Sequence, residues 1–111
     1  MLMSDKLLSN EALDLVANRF KIMSEPLRLK LLQLLQNGEK SVGELTELCS
    51  TSQPNVSKHL KMLQSGGLVT RQQKGNTVLY SIADPTIFTM CEVVCASLEE
   101  RLRTQANIFA A

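Results

Sequence analysis

Tryptophan is absent from this chain, and the other aromatics amount to three Phe and one Tyr in 111 residues. The core must therefore be built from Leu, Val, Ile and Met. Cysteine is scarce and odd in number, at three, which excludes a fully paired disulfide framework. His59 is the one histidine, so a His-based catalytic triad has no companion residues. No Gly-rich phosphate loop, HExxH pair or nucleophile–base motif is present, and no enzyme is expected. No apolar run approaches the roughly 18 residues that cross a bilayer. Asp5 and Lys6 interrupt the stretch where a signal peptide would place its apolar segment. The expected setting is cytoplasmic and reducing, with no membrane partner, and the Asn55-Val56-Ser57 sequon is then a chance match.

What is present is the composition of a folded domain, 44% hydrophobic and 21% charged. The length suits one domain spanning residues 1–111. A core this small gains from a partner chain. The formal net charge of +1 points to no partner, but it hides a segregation. Ser52–Thr77 carries Lys58, Lys61, Arg71 and Lys74 and not one acid, while the segments on either side are net negative. Clustered cations of one sign are the electrostatic footprint of a phosphate-backbone binder, although a solvated face has the same composition.

Periodicity predicts five helices and one hairpin. Leu13, Val16, Ala17, Phe20 and Met23 fall at helical spacing over residues 10–23. Ser24-Glu25-Pro26 reads as a cap and early-turn proline opening a second, Leu-rich helix that Asn37-Gly38 ends. Ser41 and Glu44 form a capping-box pattern at the start of a third helix, whose inward face is Leu45, Leu48 and Cys49. After the polar turn Ser50-Thr51-Ser52, a fourth helix with Pro54 in its first turn buries only Val56, Leu60 and Leu63. Ser65-Gly66-Gly67 stops it. Strands over 68–73 and 77–82 flank a Lys74-Gly75-Asn76 turn, and Asp84-Pro85 caps a last helix running to about Asn107.

Helices three and four, over 41–66, make a helix–turn–helix, and the ribbon over 68–82 makes a wing. The fold expected is mainly α with a small β-hairpin wing, a winged helix–turn–helix in the order α-α-α-α-β-β-α. The faces of the fourth helix left outside the core carry Gln53, Asn55, Ser57, Lys58 and Lys61, side chains suited to base edges and phosphates. Double-stranded DNA is the partner this pattern indicates.

The motifs Ser24-Glu25-Pro26-Leu27-Arg28-Leu29-Lys30-Leu31-Leu32, Ser41-Val42-Gly43-Glu44-Leu45, Ser52-Gln53-Pro54-Asn55-Val56-Ser57-Lys58-His59-Leu60 and Gly67-Leu68-Val69-Thr70-Arg71 resemble those of the ArsR/SmtB-type winged-helix repressors. The stretch from Gly75 to Pro85 continues the resemblance, which covers about Asn10 to Leu102. It implies a homodimer on an inverted-repeat operator, with dimer contacts from the helices over 10–23 and 84–107. It also implies an inducer, often a metal or metalloid ion or a thiol-directed oxidant, that releases the DNA. Gln53, Asn55, Ser57 and Lys58 match the family's base-reading stretch, with Gln53 and Ser57 ranked first. Arg71 and Lys74 match the wing and its approach, and with Lys61 are expected on phosphate. Ser57 can equally be a surface serine. His59 reads as a packing and hydrogen-bonding residue rather than a ligand. Arg28 is either a phosphate contact or a partner of Glu25.

The family's sensing positions are largely altered. Ser41 and Gly43 stand where thiolates often open the third helix, and Gln33 stands where dithiol sensors carry a second-helix cysteine. A last-helix zinc site would need Asp84, Thr86, Ser97 and Glu100, of which only Asp84 and Glu100 can serve. Cys91 and Cys95 remain, four apart and so on one helix face, within the stripe Ile87, Cys91, Val94, Cys95, Leu98, Leu102 expected at the dimer seam. They can take As(III), Cd(II) or Zn(II), join in an oxidative crosslink, or serve as small hydrophobes in the seam. Cys49 is expected to fill core and is the weaker effector candidate. No cofactor is required by any of these readings. The rival readings are a constitutive repressor without an effector, a winged-helix module that binds protein rather than DNA, and a thiol- or metal-binding protein that does not engage DNA.

Overall fold

A computed structural model describes the chain over residues 7–110, and its side chains over residues 7–107. Asp5 and Lys6, on which the reading of the N-terminus rests, and the extreme ends of the 1–111 domain lie outside the described residues. The elements are α1 (Asn10–Met23), α2 (Pro26–Leu35), β1 (Lys40–Ser41), α3 (Val42–Cys49), α4 (Gln53–Ser65), β2 (Val69–Lys74), β3 (Thr77–Ile82) and α5 (Ile87–Ala110).

Helix ends follow local chemistry, with two corrections. Ser9 caps α1, its hydroxyl accepting from the Ala12 amide at 3.1 Å. Ser24 does not cap α2 as expected; it closes α1, donating its hydroxyl to the Lys21 carbonyl. Glu25 is the N-cap of α2 and makes no side-chain capping bond. Pro26 starts the helix without one, because its preset φ suits the first turn. The capping box of α3 forms in full, with Ser41 Oγ accepting from Glu44 N at 3.1 Å and Glu44 Oε1 accepting from Ser41 N at 3.0 Å. Those bonds hold the Glu44 carboxyl below its ordinary range.

The wing is more than a hairpin. β2 pairs with β3 from Val69↔Ile82 to Lys74↔Thr77, and β1 adds a third antiparallel strand through Lys40↔Tyr80 and Ser41↔Leu79. Two residues carry no periodicity, so β1 was not legible in the sequence. Lys74 belongs to the strand rather than to the turn. The turn is Gly75-Asn76, where Gly75 takes the φ of +63° that a tight hairpin loop needs at its first position.

The core gathers where α2, α3, α4 and the sheet meet. Leu31, Leu32 and Leu35 of α2, Leu45 of α3, and Val56, Leu60 and Leu63 of α4 are all buried, as are Leu68, Val69 and Tyr80. Leu48, expected on the inward face of α3, is 51% exposed. Gly66 lets α1 close on the end of α4: a Cβ there would come within 2.7 Å of Ile22 Cδ1.

The last helix begins at Ile87, not at Asp84. Asp84, Pro85 and Thr86 form a turn in which Asp84 Oδ1 accepts from the Thr86 amide and hydroxyl. Arg19 of α1 reaches the other carboxylate oxygen at 3.0 Å and ties the two helices together. The Thr86 bonds, then Arg19, hold Asp84 below its ordinary carboxyl range. Ile87 is buried in the core rather than placed in an outer seam, and Phe88, Met90 and Cys91 are partly covered by it. From Glu92 to Asn107 every described side chain is exposed. The Cα radius of gyration is 17.2 Å, against about 13 Å for a compact chain of this length, because α5 projects from the body.

Leu60→Ala is expected to lower the unfolding free energy by about 2–5 kcal/mol through the cavity it leaves, and Gly66→Ala by about 1–3 kcal/mol through the Ile22 contact. Urea denaturation followed by circular dichroism checks both, and an unchanged midpoint for Leu60→Ala would remove α4 from the core.

Candidate nucleic-acid interface

The exposure of α4 follows from its thin apolar stripe. Val56, Leu60 and Leu63, with His59 beside them, seal one side against the body. The remaining positions are free to be polar. The approach to α4 is a tight turn in which Ser50 adopts the left-handed conformation at φ 51°, and Ser52 then caps α4, accepting from the Asn55 amide. The Asn55 side-chain amide donates back to Thr51 Oγ1 at 3.1 Å. Asn55, expected among the base-reading residues, therefore braces the helix–turn–helix turn.

Gln53, Ser57 and Lys61 lie along one edge of α4 and meet Arg71 of β2 in a cleft of about 450 Å³. Ser41, Val42 and Gly43 at the start of α3 form another wall, and Asn76, Thr77 and Tyr80 of the wing close it. The four predicted residues Gln53, Ser57, Lys61 and Arg71 thus come together. Lys58 is exposed but lies outside this cleft, and so does Lys74. Gly43, Asn76 and Thr77 were missed by sequence reasoning. Their only signal was proximity to the third-helix cap and to the wing turn.

Lys74 has an acidic neighbour that the sequence did not reveal. Its ammonium lies 3.2 Å from Glu39 Oε1, with both side chains about half exposed. An exposed pair of this kind contributes about 0–1 kcal/mol, so a phosphate can displace Glu39. The positive field of Ser52–Thr77 is therefore trimmed at one corner by a residue from before β1.

Arg28 is committed to the protein. Its Nε donates to His59 Nδ1 at 3.0 Å and its Nη1 donates to the Ile22 carbonyl at 3.1 Å. Among the described residues it makes no ion pair with Glu25. Burial first, and the Arg28 guanidinium second, hold His59 below its ordinary value, so the imidazole is neutral at pH 7.

The cysteines divide into two places. Cys91 and Cys95 both border a large apolar groove of about 860 Å³ between α1, α2 and α5, whose walls include Phe20, Met23, Leu29 and Leu98. Cys91 is half-buried and its thiol is pushed up by burial, then by Cys95; Cys95 is exposed. Cys49 sits on α3 away from this groove, half-buried against the core, with its thiol also raised by burial. All three are free thiols. Gln33 lines the same groove. Among the described residues no group of three or more His, Cys, Asp or Glu side chains is arranged to hold a metal ion, and none of the described helices is long and apolar enough to cross a membrane.

A helix-turn-helix domain family matches residues 23–72, which hold α2, α3 and α4 and reach into the wing. The chain is 39% identical over 74 residues to a probable mercury resistance operon repressor of Streptomyces lividans, covering 67% of this chain and 59% of that protein. It is 36% identical over 87 residues to the transcriptional activator HlyU of Vibrio cholerae, covering 78% and 76%. It is 35% identical over 74 residues to the repressor SmtB of Mycobacterium tuberculosis, of which it spans 55%. The crystal structure of Rv0081 from M. tuberculosis superposes with a TM-score of 0.78 at 32% identity, covering 88% of this chain and 99% of that one. Mb0332 of Mycobacterium bovis, described as a homodimeric winged helix-turn-helix DNA-binding domain, superposes with a TM-score of 0.74 at 29% identity over 88% of this chain and 94% of that one. The curated relatives are named as transcriptional regulators, not as enzymes. With its cleft built by α4 and the wing, this chain belongs to the ArsR/SmtB-type winged helix-turn-helix regulators.

Proposed function

We propose that two copies of this chain form a cytoplasmic transcriptional repressor that binds an inverted-repeat DNA operator. The observation that carries the reading is the convergence of Gln53, Ser57, Lys61 and Arg71 on one cleft between α4 and the wing, inside the segment that holds no acid. In this reading Gln53 and Ser57 read base edges in a major groove, and Lys61 and Arg71 hold phosphates beside it. Lys58 and Lys74 add phosphate contacts at the margins, and Asn55 acts by bracing the turn.

Dimerisation is supported by what α1 and α5 leave uncovered. Leu13 and Phe20 of α1 and Val94, Leu98 and Leu102 of α5 are 41–63% exposed. A contiguous apolar face of this kind is costly on a monomer. Pairing it across a two-fold axis would set two α4 helices about 34 Å apart, one turn of duplex. A neighbour of the same fold described as homodimeric supports pairing of two copies.

Control is placed at Cys91 and Cys95. They share the groove next to the uncovered α5 face, so a soft ion such as As(III), Cd(II) or Zn(II), or an oxidant, bound there would alter how the copies meet. The family's last-helix zinc site is not available in the same way, because Asp84 is already engaged by Thr86 and Arg19. A second reading, constitutive repression with the cysteines as packing, is favoured by the raised Cys91 thiol, which keeps it protonated and slow to react.

Fluorescence anisotropy with a duplex selected from a random pool tests the reading. Lys61→Ala and Arg71→Ala are each expected to weaken binding and to reduce the slope of log K against log salt by about one. Slopes equal to wild type would take both side chains off the phosphates. Leu98→Asp should convert a dimer at micromolar concentration into a monomer by sedimentation velocity; a persistent dimer places the interface elsewhere. Adding As(III), Cd(II), Zn(II) or a mild oxidant should release the wild-type protein and leave a Cys91→Ser/Cys95→Ser variant bound. If no addition releases the wild type, the constitutive reading stands.

A further inference from the structure

We infer that Arg28 and His59 are a positioning pair that seats α4 for DNA reading, and that a proton on His59 unseats it. The inference rests on the DNA-binding function proposed above. Its basis is one partly buried contact between helices. His59 is the chain's single histidine and is only 9% exposed. Arg28 Nε donates to its Nδ1 at 3.0 Å. A guanidinium has no acceptor and does not lose its proton in proteins. Nδ1 must therefore present a lone pair, and the ring proton resides on Nε2.

The same guanidinium donates from Nη1 to the Ile22 carbonyl at 3.1 Å. One side chain thereby joins the end of α1, the first turn of α2 and the middle of α4. His59 lies on the sealed side of α4, between Val56 and Leu63 in the stripe that holds the helix to the body. Ser57, Lys58 and Lys61 are presented outward only while that side stays seated.

Protonation of Nδ1 would remove the acceptor and bring two N–H donors and two positive charges together. The charged groups around the imidazole are Arg28 and Glu25 from the start of α2 and Lys58 from α4 itself. Of these only Glu25 favours the charged ring, and burial opposes it. The folded-state value therefore lies below the ordinary one near 6.5. The unfolded chain takes the proton first as pH falls, so the contact contributes fully above about pH 6.5 and is lost on acidification through the window below it. DNA affinity follows the same direction.

The experiment is anisotropy with the selected duplex between pH 8 and pH 5.5, each protein normalised to its own value at pH 8. His59→Gln retains an acceptor for Arg28 and cannot titrate. Wild type is expected to lose about three- to tenfold more affinity than His59→Gln over that range, within the limit of about tenfold per pH unit for one proton. Arg28→Lys keeps the charge but not the fork, and is expected to weaken binding several-fold at pH 7.5 with an unchanged salt slope. Superimposable profiles for wild type and His59→Gln overturn the inference, and so does full retention of affinity in Arg28→Lys. If wild type binds no duplex at pH 8, the DNA reading fails, and the pair is judged on the free protein by NMR. The lone imidazole signal should then titrate below 6.5 together with backbone amides along α4 and the start of α2. Amide changes confined to His59 and its chain neighbours overturn it.

Discussion

Everything the molecule can present to DNA depends on one constraint: α4 must be sealed on one side and polar on the other. The seal is narrow. Val56, Leu60 and Leu63 are fully buried against α2, α3 and the first strand of the wing, each contributing about 1.5–3 kcal/mol. A wider stripe would have taken Ser57 or Lys61 inward. A narrower one would not have held a 13-residue helix to so small a body. The Arg28–His59 contact extends the seal with a directional bond that apolar packing cannot supply.

The wing depends on the same arrangement from the other side. β2 leaves α4 through Gly66 and Gly67, so Arg71 is delivered to the cleft by the chain that has just completed α4. β1 then locks the start of α3 to β3, placing the α3 N-terminus against the cleft as well. Glu39 is carried in with it and meets Lys74. The acid-free stretch supplies the cleft's cations, Lys61 and Arg71, and the preceding acidic stretch restrains one cation at its margin, Lys74.

A second division separates the body from the α1–α5 side. α5 is anchored by the Asp84 turn, the Arg19 pair and the burial of Ile87, and then leaves the core with its apolar residues uncovered. The groove with Cys91 and Cys95 lies where the anchored and the projecting parts meet. Cover for α5 comes from outside this chain in the proposed dimer, and that is why effector chemistry at this place would act on assembly.

Much of this was legible before any coordinates. The 3.6-residue spacing of Val56, Leu60 and Leu63, the Ser41/Glu44 capping box, the Ser50–Ser52 turn and the Gly75 hairpin are local signals, and each appears in the fold because its physics is local. Residue type, the absence of acids around them and the family resemblance together singled out Gln53, Asn55, Ser57 and Lys58 for bases and Lys61, Arg71 and Lys74 for phosphate. Tertiary structure alone decided which of the polar residues share a cleft, that Asn55 braces a turn, that Lys74 has Glu39 beside it, and that Leu48 faces solvent while Ile87 enters the core. It also decided that β1 exists, since two residues have no period to read, and that Arg28 grips His59 from 31 positions away. Sequence by itself determined what every segment but β1 would become; which side chains meet was settled only by packing, because hydrogen bonds and ion pairs act over a few ångströms between residues that the chain order keeps apart.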